Sequence, residues 1–377
     1  MDFSLNEEQE MLRKMSRDFL TNECPKTLIR EMEEDDKGYS PDLWKKMAEL
    51  GWMGLVFPEQ YGGEGMSLLD LTVLIEEFGR ALVPGPYLPT VVYCGMTIAE
   101  AGSDEQKKEF LPKIAKGDMI MTLALTEPSA SWEASGVETK ATAEGDDYVI
   151  SGTKLFISDA HIADYMLVVA RTKDGASKED GITLFLVDAK SPGIGLTPLK
   201  TMALDKQFEV VLDKVKVPKA NVLGELDKGW PIIKDLMQRG AVAQCAYMVG
   251  GAQQVLEMSV AYAKERVQFG KPIGSFQMIQ QKCADMAVEV DGARFITYEA
   301  AWKMAEGLPC SLEVSMAKAW VSEAYRRATV EGQQIHGGIG FIKDHDMQLY
   351  YRRVKASELA FGDGDFHREL VAQQIGL

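Results

Sequence analysis

Apolar residues recur at helical spacing in the first 118 residues of the chain. Leu12, Met15 and Phe19 fall on one face after an acidic first turn, and Ser67 precedes a longer stretch that is almost wholly apolar on one side. Three prolines between positions 84 and 89 interrupt this pattern before another helical run. The opening part of the chain is therefore predicted to be helical.

A different pattern begins near Met119. Short segments rich in β-branched and aromatic residues start there and again at Tyr148, Tyr165, Ile182 and Phe208, separated by turns of Gly, Asp and Lys. Because these segments are too short and too closely spaced for crossover helices between them, they predict an antiparallel barrel or sandwich.

Helical spacing returns after Lys228 and continues to the end of the chain. Few helix-breaking residues occur in residues 230–265, and apolar positions in residues 278–307 and 309–335 repeat every three or four residues. These patterns predict an α+β fold that is mostly α. The predicted domains are an N-terminal helical domain of residues 1–118, a middle β-domain of residues 119–228, and a C-terminal four-helix bundle of residues 229–377.

The chain has 377 residues and a net charge of −16, which makes nucleic acids and anionic membranes poor partners. Its five cysteines form no C-x-x-C pair and its four histidines are scattered, so neither a metal site nor a dithiol motif is predicted. The first residues lack the pattern of a secretory signal, and no apolar run approaches the roughly 20 residues of a membrane span. We therefore expect a cytoplasmic protein with reduced thiols.

Two segments of the β region could belong to a ligand site, but each also has an ordinary structural explanation. The loop Leu125-TEPSASWEASG is rich in Ser and exposes backbone N–H groups, although taken alone an ordinary connection between strands is the simpler interpretation. In Lys154-LFIS, Phe156 is more typical of a core position, unless its face lies against a planar ring. Neither segment by itself identifies a function.

Two segments of the C-terminal region could likewise contact a ligand or simply end a helix. Arg266-VQFGKPIG follows a long helix, where an arginine suits a phosphate contact or simply a favourable cation at the helix end. The paired glycines of Gln334-IHGGIGF allow close approach of a ligand, or form a helix C-cap. No G-x-G-x-x-G follows a strand here, so a Rossmann site is not supported.

Taken in order, these four motifs resemble those of the acyl-CoA dehydrogenase family. The resemblance covers essentially the whole chain, including the Asp-Phe-x-Leu opening and the segment Trp52-MGLVFPEQYGG. It implies FAD bound non-covalently between the β-domain, the C-terminal helices and a neighbouring subunit, in a homodimer or, more often in the family, a homotetramer. The implied substrate is an acyl-CoA thioester, and the implied electron acceptor is an electron-transferring flavoprotein.

The resemblance also implies cofactor-binding roles, which are carried over residue by residue from the matching motifs. The residues are Leu125, Thr126, Phe156 and Ser158 along the flavin ring, Arg266, Phe269 and Gln277 at the phosphate and adenosine part, and Gln334, Gly337 and Gly338 closing over the cofactor from the partner subunit.

The family reaction removes a proton from Cα and a hydride from Cβ of the acyl group, and the proton acceptor is usually a glutamate. An alignment without a gap from Arg352 places Phe361 where that glutamate stands, and a phenyl ring cannot accept a proton. The alternative glutamate position of some relatives is matched by Gln238. No aspartate occurs in residues 82–102, where some relatives that act on cyclic acyl-CoAs place one. The catalytic base is therefore unknown.

Three residues are expected to contact the substrate. Phe361 keeps the backbone N–H that in the family helps to hold the thioester carbonyl. Trp132 replaces part of the usual G-S-D and is expected near the thioester, or else packed on the flavin edge or the CoA arm, and Arg239 follows the alternative base position. Four other candidates for the base stay unassigned, namely Tyr93, Glu133, Asp363 and Asp365.

Three functions stay open. The first is an active dehydrogenase for a cyclic, branched or otherwise unusual acyl-CoA, with its base supplied from elsewhere. The second is an elimination that needs no Cα deprotonation, and the third is a non-catalytic subunit of a hetero-oligomer whose other chain carries the glutamate. We favour the first. The retained Arg266 and Gln334 argue against the loss of FAD, and so against the third.

Overall fold

Polar caps begin the N-terminal helices of the computed structural model, which describes residues 4–377. The Asn6 side chain accepts the Gln9 N–H to begin α1, and Ser67 and Asp70 form the same reciprocal capping box to begin α4, as the position of Ser67 predicts. The Asp-Phe-x-Leu opening lies partly outside the described residues. The helices are α1 (Glu7–Glu23), α2 (Lys26–Glu34), α3 (Pro41–Glu49), α4 (Leu68–Ala81), a π-helix (Leu88–Gly95), α5 (Met96–Ala101) and α6 (Asp104–Ala115).

The β-branched segments form strands, as their composition predicts, and these strands make up one eight-stranded sheet. Its strands lie in the order β6-β7-β3-β2-β4-β5-β8, and β1 pairs with β4 outside this path. The strands are β1 (Met121–Ala124), β2 (Lys140–Glu144), β3 (Asp147–Ser158), β4 (Tyr165–Arg171), β5 (Ile182–Asp188), β6 (Ile194–Leu199), β7 (Gln207–Pro218) and β8 (Val222–Leu223).

Two pairings differ from the antiparallel arrangement predicted from the sequence. β1 pairs with β4 in parallel, with Met121 opposite Tyr165, and β2 touches β4 in parallel where Lys140 lies opposite Arg171. The sequence argument considered only consecutive strands, which are indeed too close for a crossover. The hairpin of β2 and β3 separates β1 from β4 along the chain, and this length allows a parallel return.

The sheet is held together by a continuous apolar core. Every residue of β5 except Asp188 is buried, and Ile150, Val168, Phe185 and Val210 from four different strands are fully buried in one cluster. Burial of such side chains stabilises a fold by about 1.5–3 kcal/mol each relative to exposure. The strands therefore form a rigid support for the loops that join them.

Long helices make up the C-terminal domain, as the helical spacing predicts. A two-stranded hairpin of β9 (Val267–Gln268) and β10 (Lys271–Pro272) separates the first two of them. The helices are α7 (Trp230–Glu265), α8 (Gln277–Ala305), α9 (Ser311–His336), α10 (Met347–Leu359) and α11 (Gly364–Gln374).

The chain divides into two compact units that each combine separate stretches of sequence. The first unit contains the described residues up to Arg30, Ser67–Val83 and Ala241–Leu377, and the second contains Glu31–Met66 and Pro84–Gly240. Within residues 4–377, no helix combines the length and apolar character needed to cross a bilayer.

Candidate active site

A buried lysine in the second unit joins the two motifs of the β region. Lys154 of β3 is fully buried, and its Nζ donates to Glu127 Oε1 at 2.6 Å, to the Val169 carbonyl at 2.6 Å and to the Leu125 carbonyl at 3.3 Å. Burial lowers the pKa of Lys154 to about 8, and the neighbouring Glu127 carboxylate opposes this shift. The loop that begins at Leu125 is thus tied directly to the strand that carries Phe156.

Glu127 also closes its own loop. Its carboxylate accepts the backbone N–H groups of Glu138 and Thr139 at 2.9–3.1 Å, and its side chain is almost completely buried. The sequence analysis did not assign a role to either member of this ion pair. The available signal was a lysine directly before the apolar residues 155–157, because a lysine buried in such a strand needs a partner.

Phe156 is exposed, which makes the core interpretation of its sequence position wrong. The pairing of β3 with β7 shifts its register between Lys154 and Ile157, and Phe156 adopts a φ of +59° in this bulge. The accessible fraction of Phe156 is 54%. A β-bulge redirects a side chain out of the regular alternation, so the ring is free to lie against a planar ligand.

The other residues expected along the flavin ring lie beside this bulge. The Leu155 N–H donates to the Thr126 carbonyl at 2.9 Å, and Thr122 Oγ1 donates to the Ser158 carbonyl at 2.6 Å. Leu125 is buried, whereas Thr126 and Ser158 are half-buried. The structure therefore brings Leu125, Thr126, Phe156 and Ser158 to one end of strands β1 and β3.

Two residues of the expected substrate site lie elsewhere in the second unit. Trp132 is half-buried in the loop between β1 and β2. Arg239 is buried near the start of α7, where its guanidinium group donates to the Glu100 carboxylate and to Thr97 Oγ1 at 3.0 Å. The adjacent Gln238 is half-buried. These contacts with α5 fix the position of the Arg239 guanidinium without any ligand.

Glu100 is a carboxylate that the sequence analysis missed. The analysis of residues 82–102 asked only for an aspartate, whereas a glutamate in the same stretch pairs with Arg239. Half of the Glu100 side chain, 52%, is accessible. Its presence next to Arg239 adds a fifth residue to the unassigned candidates for the base.

Three residues of the expected phosphate and adenosine site lie within one short segment of the first unit. Arg266 follows the end of α7, Phe269 lies at the tip of the hairpin of β9 and β10 with 93% of its surface exposed, and Gln277 begins α8. The positive end of the α8 dipole and the Arg266 guanidinium would both favour an anionic group. An extended phosphate-bearing ligand suits this surface.

The paired glycines of the same unit form a helix C-cap and also leave the backbone open to a ligand. Gly337, with a φ of +63°, ends α9, as a C-cap residue does. A Cβ atom added at Gly337 or at Gly338 would meet no other atom within 4 Å, so the backbone there is open to approach. Gln334, one turn earlier, is exposed.

Phe361 lies in the connection between α10 and α11. Its side chain is buried, its φ is +58°, and its carbonyl accepts a hydrogen bond from His367 Nε2 at 2.9 Å. Asp363 caps α11 by accepting the Phe366 N–H at 2.9 Å, which explains this aspartate without a catalytic role. Asp365, in the first turn of α11, is highly exposed.

The described residues contain no group of three His, Cys, Asp or Glu side chains arranged to hold a metal ion. The family model and the fold both identify an oxidoreductase. Acyl-CoA dehydrogenase models match the N-terminal domain at residues 6–118, the middle domain at residues 122–215 and the C-terminal domain at residues 227–376. The chain belongs to the acyl-CoA dehydrogenase family.

Similar proteins match over nearly their whole length. The probable acyl-CoA dehydrogenase YngJ of Bacillus subtilis is 37% identical, with 100% of both chains covered. Subunit CarC of the caffeyl-CoA reductase–Etf complex of Acetobacterium woodii is 33% identical, with 98% of each covered. The structure of the ChsE4–ChsE5 complex from Mycobacterium tuberculosis has a TM-score of 0.91 at 29% identity, covering 100% of this chain and 99% of the other.

FAD is the cofactor that this family and fold imply, and the residues present fit it. In the second unit, Phe156 offers an accessible aromatic face beside the polar backbone of Thr126. In the first unit, an arginine and a helix N-terminus suit phosphate groups, and the space beside Gly337 and Gly338 admits a ligand at the backbone.

Proposed function

We propose that this chain is an FAD-dependent oxidoreductase that acts on a cyclic or otherwise unusual acyl-CoA and passes electrons to an electron-transferring flavoprotein. The observation that carries the proposal is Phe361. Its side chain cannot accept a proton, yet its backbone is held in a defined left-handed conformation with the carbonyl bound by His367. The backbone of this position is therefore suited to bind a thioester even though the family's base is missing.

Each part of the proposed site has a different task. The ring-side residues Leu125, Thr126, Phe156 and Ser158 position the flavin, and the remaining cofactor residues hold its phosphate and adenosine part. Trp132 and Arg239 shape the acyl-CoA site. The domain limits of 1–118, 119–228 and 229–377 and the cytoplasmic location are part of the same proposal.

The chain's own residues would activate the substrate through its carbonyl. The Phe361 N–H donates to the thioester oxygen and stabilises the negative charge that develops as the Cα proton leaves. FAD supplies the acceptor for the hydride from Cβ. The Phe361 ring has no basic atom, so the Cα proton would have to pass to another group, which is not assigned.

The electron partner is proposed from the family and from one relative. The name of the Acetobacterium woodii protein describes it as a subunit of a reductase–Etf complex. Sequence identity of 33% over 98% of both chains supports a similar partner for this chain. The same relative is named a reductase, which leaves open the direction in which electrons pass.

A second candidate is a subunit that works with a related chain. Phe361 favours it, because a second chain could carry the missing glutamate, and the ChsE4–ChsE5 structure is of a complex between two named proteins. An elimination without Cα deprotonation is the third possibility.

The test is the visible spectrum of the purified chain during addition of butyryl-CoA and of cyclohexanecarbonyl-CoA. We expect a yellow protein whose flavin is bleached by the cyclic thioester and not by the straight-chain one. A colourless protein would contradict FAD binding by the chain alone. A yellow protein that neither thioester bleaches would favour the second candidate, to be checked by adding a related glutamate-bearing chain.

A further inference from the structure

Lys318 is a fully buried lysine in the middle of α9. Its Nζ donates to the Glu358 carbonyl at 2.7 Å, to the Gly362 carbonyl at 2.8 Å and to Ser322 Oγ at 3.3 Å. An ammonium group has three N–H donors, and each of these has an acceptor. Burial lowers the pKa of Lys318 to about 8, so most of the group is still charged at neutral pH.

His367 of α11 binds the same connection. Its Nε2 lies 2.9 Å from the Phe361 carbonyl oxygen, which can only accept, so Nε2 carries the proton. Burial lowers the pKa of His367 to about 4, which keeps the ring neutral with a single donor at neutral pH. Two side chains from two different helices thus bind two successive carbonyls, those of Phe361 and Gly362.

The backbone between these carbonyls is unusual. Phe361 has a φ of +58° and Gly362 a φ of +95°. A non-glycine residue in the left-handed region costs about 1–3 kcal/mol and persists only where its surroundings over-determine it. The hydrogen bonds from Lys318 and His367 supply that determination at Phe361, where the family's base would stand.

We propose that Lys318 and His367 are positioning residues that hold the Phe361 backbone N–H towards a thioester carbonyl. This inference rests on the proposed function, in which that N–H binds the substrate. Lys318 binds the Glu358 carbonyl before Phe361 and the Gly362 carbonyl after it, and His367 binds the carbonyl of Phe361 itself. Because peptide planes are rigid, these bonds restrain the backbone on both sides of the Phe361 N–H. The arrangement uses no atom of the phenyl ring, and it therefore works without a glutamate side chain.

An ordinary packing role is the competing explanation. Lys318 would then only satisfy the end of α10, where the Glu358 carbonyl lacks a partner within the helix, and His367 would only anchor α11. A packing role predicts a loss of stability without a specific effect on carbonyl binding. The two explanations differ in whether substitution of Lys318 or His367 weakens the binding of a ligand with the carbonyl more than that of a ligand without it.

The first measurement is hydrogen–deuterium exchange of the FAD-loaded full-length protein in peptides covering residues 358–364. We expect Lys318→Met and His367→Leu each to raise exchange in this segment at least tenfold. Lys303→Met is the matched control, because Lys303 pairs with Glu313 elsewhere on α9. Unchanged exchange of the segment in both variants would overturn the inference. His367→Leu keeps the test decisive if Lys318→Met does not fold.

The second measurement compares the binding of cyclohexanecarbonyl-CoA with that of S-(cyclohexylmethyl)-CoA, in which a methylene replaces the thioester carbonyl. The wild type should prefer the thioester, and Lys318→Met and His367→Leu should reduce this preference about tenfold, the scale of one hydrogen bond. His367→Gln retains an N–H donor and should keep most of the preference.

The outcomes separate this inference from the proposed function. A wild-type protein that binds both ligands equally, or neither, contradicts the thioester contact in the proposed function, and the exchange experiment then decides whether the two side chains position the segment. A wild type that prefers the thioester, with variants that keep the same preference or weaken both ligands equally, overturns the positioning role.

Discussion

At the scale of single residues, Phe361 would contribute a backbone N–H, and no side-chain group, to the proposed thioester site. The position has a left-handed φ of +58° and a bound carbonyl, although a phenylalanine gains nothing from this conformation itself. Because the surroundings specify the backbone, the side chain can change while the N–H stays in place.

The substitution Phe361→Glu should therefore add a proton acceptor at a position where the backbone is already held in place. Burial at this position would raise the pKa of the new carboxyl group towards neutrality, which suits a general base. We expect α,β-dehydrogenation of butyryl-CoA to rise at least about 100-fold, measured by flavin bleaching. Phe361→Gln is the control without a base, and a variant that binds FAD but shows no gain would count against the alignment of Phe361.

His367 should make stability depend on pH in a defined direction. Its pKa is about 4 in the folded chain against 6.5 as the ordinary value, so between these values the unfolded chain binds more protons. The contribution of His367 to stability is complete above pH 6.5 and is lost as the pH falls towards 4, by up to about 3 kcal/mol.

The measurement is urea unfolding of the wild type and of His367→Gln at pH 7 and at pH 4.5. The free energy of unfolding of the wild type should fall further on acidification than that of the variant, since glutamine does not titrate. Equal changes in the two proteins would show that His367 is not the group responsible.

At the scale of elements, α4 and α7 approach each other through glycine. A Cβ atom on Gly79 would lie 1.8 Å from the Tyr247 carbonyl oxygen, and one on Gly250 would lie 1.8 Å from the Glu76 carbonyl oxygen. In both places backbone meets backbone, so no flexible side chain can move aside. The close crossing of these helices depends on the missing side chains.

Gly79→Ala should consequently lower the free energy of unfolding by about 1–3 kcal/mol or more, the cost of overpacking. Gly292→Ala in α8 is the matched control, because its Cβ would make only an ordinary contact at 3.7 Å with Trp320 Nε1. The control should gain about 0.5–1 kcal/mol from the better helix propensity of alanine. Similar effects of both substitutions, measured by urea unfolding, would contradict the close crossing.

The buried pair of Lys154 and Glu127 connects the loop after β1 to β3. Lys154→Met leaves the Glu127 carboxylate buried without its partner and should cost about 3–5 kcal/mol of stability. The double variant Lys154→Met, Glu127→Gln should recover a large part of this loss, since no uncompensated charge remains. Urea unfolding of the single and double variants tests this, and a double variant as unstable as the single one would argue against a charge effect.

At the scale of the whole molecule, large apolar side chains remain exposed in the first unit. They include Phe269 at 93%, Val288 at 74%, Met278 at 71% and Phe341 at 68%. Phe269 belongs to the expected cofactor site, and Phe341 follows the glycine motif of Gly337 and Gly338. Contact with further copies of the chain would cover such surfaces and complete a shared site.

Because the family resemblance implies a homotetramer, we expect the FAD-loaded chain to have a mass in light scattering four times the 41.7 kDa of one chain. Phe341→Ser should weaken assembly and lower the FAD content together, whereas a substitution at the exposed Glu265 should change neither. A colourless monomer that acquires FAD only with a related second chain would favour the hetero-oligomeric alternative.

The sequence by itself determined the succession of helical and β parts, because apolar periodicity depends only on which face of each element is buried. It also indicated the family, which the family models confirm. Only the tertiary structure decided the exposure of Phe156, the parallel pairing of β1 with β4, and the burial of Lys154 and Lys318. These features depend on a bulge, a long-range pairing and partners distant in the chain, none of which local patterns encode. The hydrogen bonds around Phe361 could not be predicted for the same reason, because they join residues from α9, from α11 and from the connection between α10 and α11.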